Sequence, residues 1–188
     1  TVTITSASGK AEDVVFIGGS PVIDFADAAH FRLTHVTVDA FSSTYAVRII
    51  GNASDVQVKY CNIILNPATT STQYGVYCQS GAIRDSIYII GNKIDGGYYG
   101  IYFYGGTGSA ANQHGRYNRI DSNVVSNVYI YSIYGYYADF ESVSHNRVTD
   151  RSTGAYNYFY GIYTYYCNHR YIVGNFIRTA LQSYTSAY

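Results

Sequence analysis

The sequence contains no methionine and no tryptophan, and only two prolines among its 188 residues. Charged residues make up 13% of the chain, about half of the roughly 25% usual for soluble domains. The 12 basic and 12 acidic side chains cancel, which argues against a general attraction to nucleic acid or to an anionic membrane surface. No apolar run approaches the roughly 20 residues that span a bilayer, so membrane insertion is not expected. Because no methionine begins the chain, we expect residues 1–188 to form a single array taken from a longer protein.

Cysteine is also scarce, and the three residues Cys61, Cys78 and Cys167 lack the spacing of a metal site. We therefore expect no metal and no cofactor. We interpret the cysteines as small apolar side chains of a core. A Cys61–Cys78 disulfide is the alternative interpretation.

Repetition is abundant, and two motifs alternate along the chain. The first is a tetrapeptide that usually begins and ends with tyrosine, and its copies begin 25 to 32 residues apart. Its copies are Tyr45–Arg48, Tyr74–Tyr77, Tyr99–Tyr102, Tyr131–Tyr134 and Tyr160–Tyr163. The second places apolar residues around a small or amide residue, in Leu33–Val38, Val58–Ile63, Ile89–Ile94, Ile120–Val125, Val143–Val148 and Ile172–Ile177.

Each motif alternates apolar and polar residues over only a few positions, which indicates short strands with one buried face. Such a strand cannot bury its face alone, so successive repeats must stack in parallel. The sequence therefore predicts an all-β solenoid of about six to seven coils. The differences in repeat length place the longest loops around 67–73, 105–115 and 152–158.

One position of the second motif holds asparagine in four consecutive coils, at Asn92, Asn123, Asn146 and Asn175. Asparagine tolerates the left-handed backbone of a sharp corner, and its amide can bond to the copy in the next coil. We predict a buried structural ladder of these four side chains. The same position holds Val36 and Cys61 in the first two coils, so the ladder is expected to begin in the third.

The segments Ile89–Gly106 and His145–Asn168 resemble the repeats of the pectate-lyase-like superfamily. The opening segments Thr3–Gly19 and Pro21–Ala40 are similar to segments of large secreted surface proteins of Bacteroidetes-type bacteria. The resemblance implies a right-handed parallel β-helix that is secreted or displayed at a cell surface. It does not imply one activity, because this fold carries lyases, hydrolases, adhesins and inert stalks.

Catalytic motifs of those enzymes are not found in the sequence. Pectate lyases would require a carboxylate cluster for calcium with an arginine base, and hydrolases would require paired carboxylates in local motifs. One alternative grouping, for a polysaccharide lyase, consists of Lys93, Arg119, Asp121, His145 and Arg147, which alternation places on one side of the solenoid. A solvated charged face explains the same residues, so we expect no catalytic site.

Tyrosines that follow a buried position of the tetrapeptide should form outward columns. If Val47, Val76, Ile101, Ile133 and Ile162 are buried, one column contains Arg48, Tyr77, Tyr102, Tyr134 and Tyr163. A second contains Gln79, Tyr104, Tyr136 and Tyr165. These columns predict a flat, exposed tyrosine face, which has three interpretations: an aromatic ladder that stabilises the sheet, a glycan-binding surface, and a surface that packs against another protein.

The sequence therefore favours a non-catalytic extracellular module, structural or adhesive, that presents tyrosines to a polysaccharide, a surface protein or another copy. Neither end has the composition of a cap, so copies stacking end to end into a filament are a further alternative. A fragment of a polysaccharide lyase or glycoside hydrolase is the alternative function.

Overall fold

The computed structural model of the chain describes residues 1–79, 81–152 and 158–179, together with the backbone of residues 186 and 187. Three parallel sheets of seven strands each are stacked as a β-solenoid of about six coils. Two single-turn 3₁₀ helices, Ala11–Asp13 and Ala111–Gln113, are the helices of the described residues. The prediction of an all-β parallel solenoid is therefore confirmed, while its right-handedness remains a prediction.

The strands are numbered in chain order, and successive strands along the chain belong in turn to the first, second and third sheets. The first sheet contains β1 (Val2–Thr5), β4 (Ala29–Thr34), β7 (Ser54–Lys59), β10 (Tyr88–Ile90), β13 (Gly115–Asp121), β16 (Ala138–Ser144) and β19 (Asn168–His169). The second contains β2 (Val15–Ile17), β5 (Thr37–Asp39), β8 (Asn62–Ile64), β11 (Lys93–Asp95), β14 (Val124–Val128), β17 (Arg147–Asp150) and β20 (Phe176–Arg178). The third contains β3 (Ile23–Ala26), β6 (Tyr45–Ile50), β9 (Tyr74–Cys78), β12 (Tyr99–Tyr104), β15 (Tyr131–Tyr136), β18 (Tyr158–Tyr165) and β21 (Ser186–Ala187).

The core consists of columns of apolar side chains that the repeats place in register. On the first sheet Leu33, Val58, Ile89, Ile120 and Val143 pair in succession, and all five are fully buried. The second and third sheets contribute equivalent columns, which begin at Val38 and Val47. Burying these side chains provides the main stabilisation of a stack whose single strands could not fold alone.

The predicted loops fall between strands. Residues 67–73 lie between β8 and β9, and the second 3₁₀ helix interrupts the connection between β12 and β13. Of the third predicted loop, residues 153–157 lie outside the described residues, and Tyr158 already belongs to β18.

The corner between the first and second sheets contradicts one detail of the sequence analysis. The ladder asparagines do not adopt the left-handed backbone that we expected of them. The residue before each of them does, with φ of 68° at Gly91, 57° at Ser122, 57° at His145 and 66° at Gly174. The preceding residue therefore bends the backbone, and the side chain of the asparagine lies inside the corner.

The three cysteines are free thiols, so the alternative of a Cys61–Cys78 disulfide is wrong. Cys61 and Cys78 are buried, and Cys167 is partly buried against the core. Burial raises the pKa of Cys61 and of Cys167 to about 11 and that of Cys78 to about 12.

Candidate functional site: tyrosine columns and a polar groove

The four asparagines form a continuous hydrogen-bonded ladder. Oδ1 of Asn123 accepts the backbone N–H and the side-chain amide of Asn92, and Asn146 and Asn175 repeat this arrangement in the following coils. Each Nδ2 also donates to a backbone carbonyl of the preceding coil, as Asn123 does to Ile89 at 2.9 Å. The ladder begins where we expected, because the oxygen of Asn92 accepts the backbone N–H of Cys61. Its hydrogen bonds are satisfied within the corner, which fits a structural role.

A fifth asparagine has a similar role that the sequence analysis missed. Asn118 is fully buried at another bend of the chain, where its oxygen accepts the N–H of Ile87 and its amide donates to the carbonyl of Arg84, both at 3.0 Å. It occurs once, so no periodicity in the sequence reveals it.

The outer face of the third sheet carries the predicted tyrosine columns. Arg48, Tyr77, Tyr102, Tyr134 and Tyr163 pair in succession along the sheet. Tyr104, Tyr136 and Tyr165 form the second column. Gln79 does not join it, because β9 ends at Cys78.

A third column, which the sequence analysis missed, contains the first tyrosine of each tetrapeptide: Tyr45, Tyr74, Tyr99, Tyr131 and Tyr160. Strict alternation would place one of any two residues three apart inside, yet the first and last residues of each tetrapeptide both lie outside. Two consecutive inward residues make this possible, as in Gly100 and Ile101. The first of the two is always small (Ala46, Gly75, Gly100, Ser132 or Gly161). At the three glycines a Cβ would come within 3 Å of a side chain of the second sheet, namely Ile94, Val125 and Ile177. That run of small residues is the sequence signal that could have predicted the third column.

The rings of the two columns that run from Tyr45 to Tyr160 and from Tyr77 to Tyr163 are stacked along the solenoid axis. From Tyr45 to Tyr160 the successive ring centroids are 5.2, 5.0, 5.0 and 4.7 Å apart, with interplanar angles of 12° or less. The column from Tyr77 to Tyr163 stacks at 4.9 to 5.4 Å. The two columns meet edge to face, as Tyr99 and Tyr102 do at 87°. Both arrangements are favourable for aromatic pairs.

The stacks remove much of each phenol from water. Burial is the main cause that raises the pKa of Tyr131 and of Tyr134 to about 12, and nearby tyrosines raise it further. Burial likewise raises the pKa of Tyr74, Tyr99 and Tyr102. These five phenols stay neutral across the physiological pH range, so their rings add no charge to the face.

The flat aromatic platform expected from the sequence needs correction. Because the rings of the two long columns cover one another, the face offers mainly ring edges and hydroxyl groups instead of open ring faces. Tyr45, Tyr74, Tyr99 and Tyr131 are accordingly only partly exposed. The most exposed phenols of this face, Tyr165 and the adjacent Tyr166, lie at one end of the second column.

The structure separates the five residues of the catalytic alternative onto two sheets, so the expectation that they share one side is wrong. Lys93 and Arg147 begin strands of the second sheet, and the guanidinium of Arg147 lies over the ring of Phe176. Arg119, Asp121 and His145 line one groove of about 370 Å³ on the first sheet. The carboxylate of Asp121 is already occupied, because it accepts Arg119 Nε at 2.9 Å and the backbone N–H of Ser144 at 3.0 Å. Alternation failed here because a corner intervenes between the two sets.

A second groove of about 300 Å³ adjoins the first at Glu141. We call this second groove the first-sheet groove. Its rim consists of Arg116, Tyr117, Asp139, Glu141, Asn168 and Arg170. Within the described ranges, no group of three or more His, Cys, Asp or Glu residues could hold a metal ion.

Comparisons of the chain with protein-family models, with curated proteins and with solved structures found no match. In the part of the chain that the structure describes, no helix is long and apolar enough to cross a membrane. The arguments about function therefore depend on the surfaces described above.

Proposed function

We propose that this chain is a non-catalytic, extracellular β-solenoid module, structural or adhesive, that presents its tyrosine columns to a partner lying along the solenoid axis. The observation that supports the proposal is the uninterrupted stacking of tyrosines over five consecutive coils of the third sheet. Isolated exposed aromatic residues are common on protein surfaces, whereas a contiguous aromatic patch of this length is typical of an interaction site.

The geometry favours an extended partner. Ring edges and hydroxyls recur along the axis with the separation of the stacked rings, 4.7 to 5.4 Å. Another β-sheet repeats at about 4.7–4.9 Å, so the sheet of a neighbouring copy or of a surface protein could contact every coil in the same way. An extended polysaccharide would use the same hydroxyl rows.

The experiment compares the chain with a variant that carries Tyr102→Ser and Tyr134→Ser, which removes the middle of one column. Binding to immobilised polysaccharides and to surface proteins, and self-association by analytical ultracentrifugation, are measured for both. We expect at least one form of binding that the double variant loses. Tyr165→Ser, at the end of the face, serves as the matched control and should change binding less. Equal binding by all three proteins, or no binding by any of them, would contradict the proposal.

Self-association includes the filament alternative, in which copies stack end to end through their terminal strands. Electron microscopy at increasing protein concentration tests it, since end-to-end contacts need not close into a ring and would give fibres of growing length. Monodisperse particles at all concentrations would exclude filaments.

A lyase or hydrolase is the second candidate, and the observation in its favour is that Arg119, Asp121 and His145 line one groove. We expect no release of unsaturated uronates from pectin, alginate or glycosaminoglycans. Release that is abolished by His145→Ala would establish the enzyme instead of the module.

A further inference from the structure

The strands that border the first-sheet groove do not pair regularly. In four successive coils a residue with left-handed backbone bends the chain at the start of the first sheet: His30, Asp55, Ser86 and Tyr117. In the next coil the left-handed residue comes earlier, at Tyr137 (φ of 49°) directly before β16, and none occurs between Ala138 and Ser144. As a result, the register between β13 and β16 shifts on both sides of Asn118.

These shifts are β-bulges, and they determine where the side chains of the groove lie. Arg116 and Tyr117 together oppose Asp139, and Glu141 is the additional residue between the partners of Asn118 and Arg119. A bulge turns side chains away from their regular alternation and is common beside binding sites. The aromatic ring of Tyr117, with φ of 59°, and the two carboxylates therefore meet at one place on the surface.

The floor of the groove is aromatic and uncharged. It consists of Phe140, which is almost fully buried, and His169, whose ring stacks on that of Phe140 at 5.3 Å and 10°. Burial lowers the pKa of His169, so its imidazole is neutral at neutral pH.

The rim, in contrast, offers hydrogen-bonding groups that are only partly used. Asp139 Oδ1 accepts His114 Nδ1 at 2.9 Å and Asn168 Nδ2 at 2.8 Å, while its Oδ2 has no partner among the described residues. Glu141 Oε1 accepts Arg170 at 2.8 Å, and its Oε2 is likewise open within the described part of the chain. The Arg170–Glu141 pair is exposed and therefore weak enough to exchange with a ligand.

Tyr117 adds an open aromatic face. It is 62% exposed, and no other described ring stacks on it, in contrast to the tyrosines of the third sheet. An open ring beside planar acidic and amide groups suits a pyranose ring, because its C–H face can cover the phenol while its hydroxyls bond to the carboxylate oxygens and the amide. A volume of about 300 Å³ lies at the lower end of the usual ~300–1,000 Å³ of ligand sites.

The charges favour a neutral sugar over a uronic acid. The two free acceptors are carboxylate oxygens, which would repel a uronate. Of the two arginines of the rim, Arg170 is paired with Glu141, and the charges of Arg116 and Arg170 are balanced by those of Asp139 and Glu141, so the groove has no net charge that would attract a uronate. We propose that the first-sheet groove, lined by Arg116, Tyr117, Asp139, Glu141, Asn168 and Arg170, binds a pyranose unit of a neutral oligosaccharide. This site lies on a different sheet from the tyrosine columns and does not depend on their proposed role.

The experiment uses the full chain with cellotriose, mannotriose, maltotriose and galactotriose as neutral probes and trigalacturonate as the acidic probe. Binding is measured by isothermal titration calorimetry and by saturation-transfer NMR. We expect at least one neutral trisaccharide to bind, and Tyr117→Asn and Glu141→Gln each to weaken its affinity at least about tenfold.

Tyr60→Asn is the matched control. Tyr60 is also an exposed tyrosine with left-handed backbone, at 51% exposure and φ of 54°, but it lies outside the groove. Asparagine tolerates left-handed φ, so both tyrosine variants should keep the fold, which circular dichroism verifies. Binding that survives Tyr117→Asn, binding that Tyr60→Asn removes equally, binding of trigalacturonate alone, or no binding of any neutral probe would overturn the proposal.

Discussion

Asn123 Oδ1 accepts both the backbone N–H and the side-chain amide of Asn92, and both nitrogen–oxygen distances are 3.0 Å. One buried oxygen thus satisfies two donors of the preceding coil, while the amide of Asn123 donates to Ile89 and to Asn146. Removing this side chain leaves several buried polar groups without partners at once.

We therefore expect Asn123→Ala to lower the free energy of unfolding by about 3 kcal/mol. The control is Asn175→Ala, at the last rung of the ladder, where partial exposure lets water replace the lost bonds and the cost should be nearer 1 kcal/mol. Urea unfolding followed by circular dichroism measures both. Equal losses of stability in the two variants would show that the burial of a ladder asparagine does not determine how much it contributes to the free energy of unfolding.

The second residue of the tetrapeptide, which is always small, provides a second prediction. A Cβ at Gly100 would lie 2.6 Å from the carbonyl oxygen of Ser132 and would also collide with Val125, so Gly100→Ala should destabilise the fold by about 1–3 kcal/mol. Ser132 occupies the same position one coil later and already has a Cβ. Its buried hydroxyl has no hydrogen-bond partner among the described residues, so Ser132→Ala should be neutral or slightly stabilising. Thermal unfolding of the two variants compares them, and a loss of stability in Ser132→Ala would count against this account.

The tyrosine columns predict a loss of stability at alkaline pH. The folded-state pKa of Tyr131 and of Tyr134 is raised to about 12, above the value of about 10 for an unfolded chain. The folded state therefore holds these protons more tightly, and the contribution is complete below pH about 10 and declines as the pH rises through about 12. Urea unfolding at a series of pH values measures the decline. Tyr131→Phe removes one phenol with a raised pKa, so the free energy of unfolding should decline less steeply with rising pH in this variant. An unchanged pH dependence would argue that the ring of Tyr131 is not desolvated.

The free thiols provide a fourth prediction. Because burial raises the pKa of Cys61 and Cys167 to about 11 and that of Cys78 to about 12, little thiolate exists at neutral pH. We expect the native chain to react slowly with a thiol-specific chromogenic reagent, and all three thiols to react rapidly in denaturant. Rapid reaction of the native chain, or a single reactive thiol in denaturant with two that never react, would be inconsistent with three buried free thiols.

The sequence by itself determined the solenoid and its core. The spacing of the tetrapeptide and of the apolar motif predicted which residues stack in register, including the asparagine ladder and two tyrosine columns. These features were predictable because each repeats in successive coils, and a parallel stack places equivalent positions one above another.

Only the tertiary structure decided the features that occur once or that break alternation. It placed the left-handed bend one residue before each ladder asparagine and separated Lys93 and Arg147 from Arg119 and Asp121 by a corner. It revealed a third tyrosine column, because two consecutive inward residues reverse the alternation between Tyr99 and Tyr102. The groove beside Tyr117 depends on bulges between β13 and β16, where two neighbouring coils differ in their bends. The bulges arise because β13 and β16 bend at different positions when they pair, and the sequence of either strand alone does not show how the two pair.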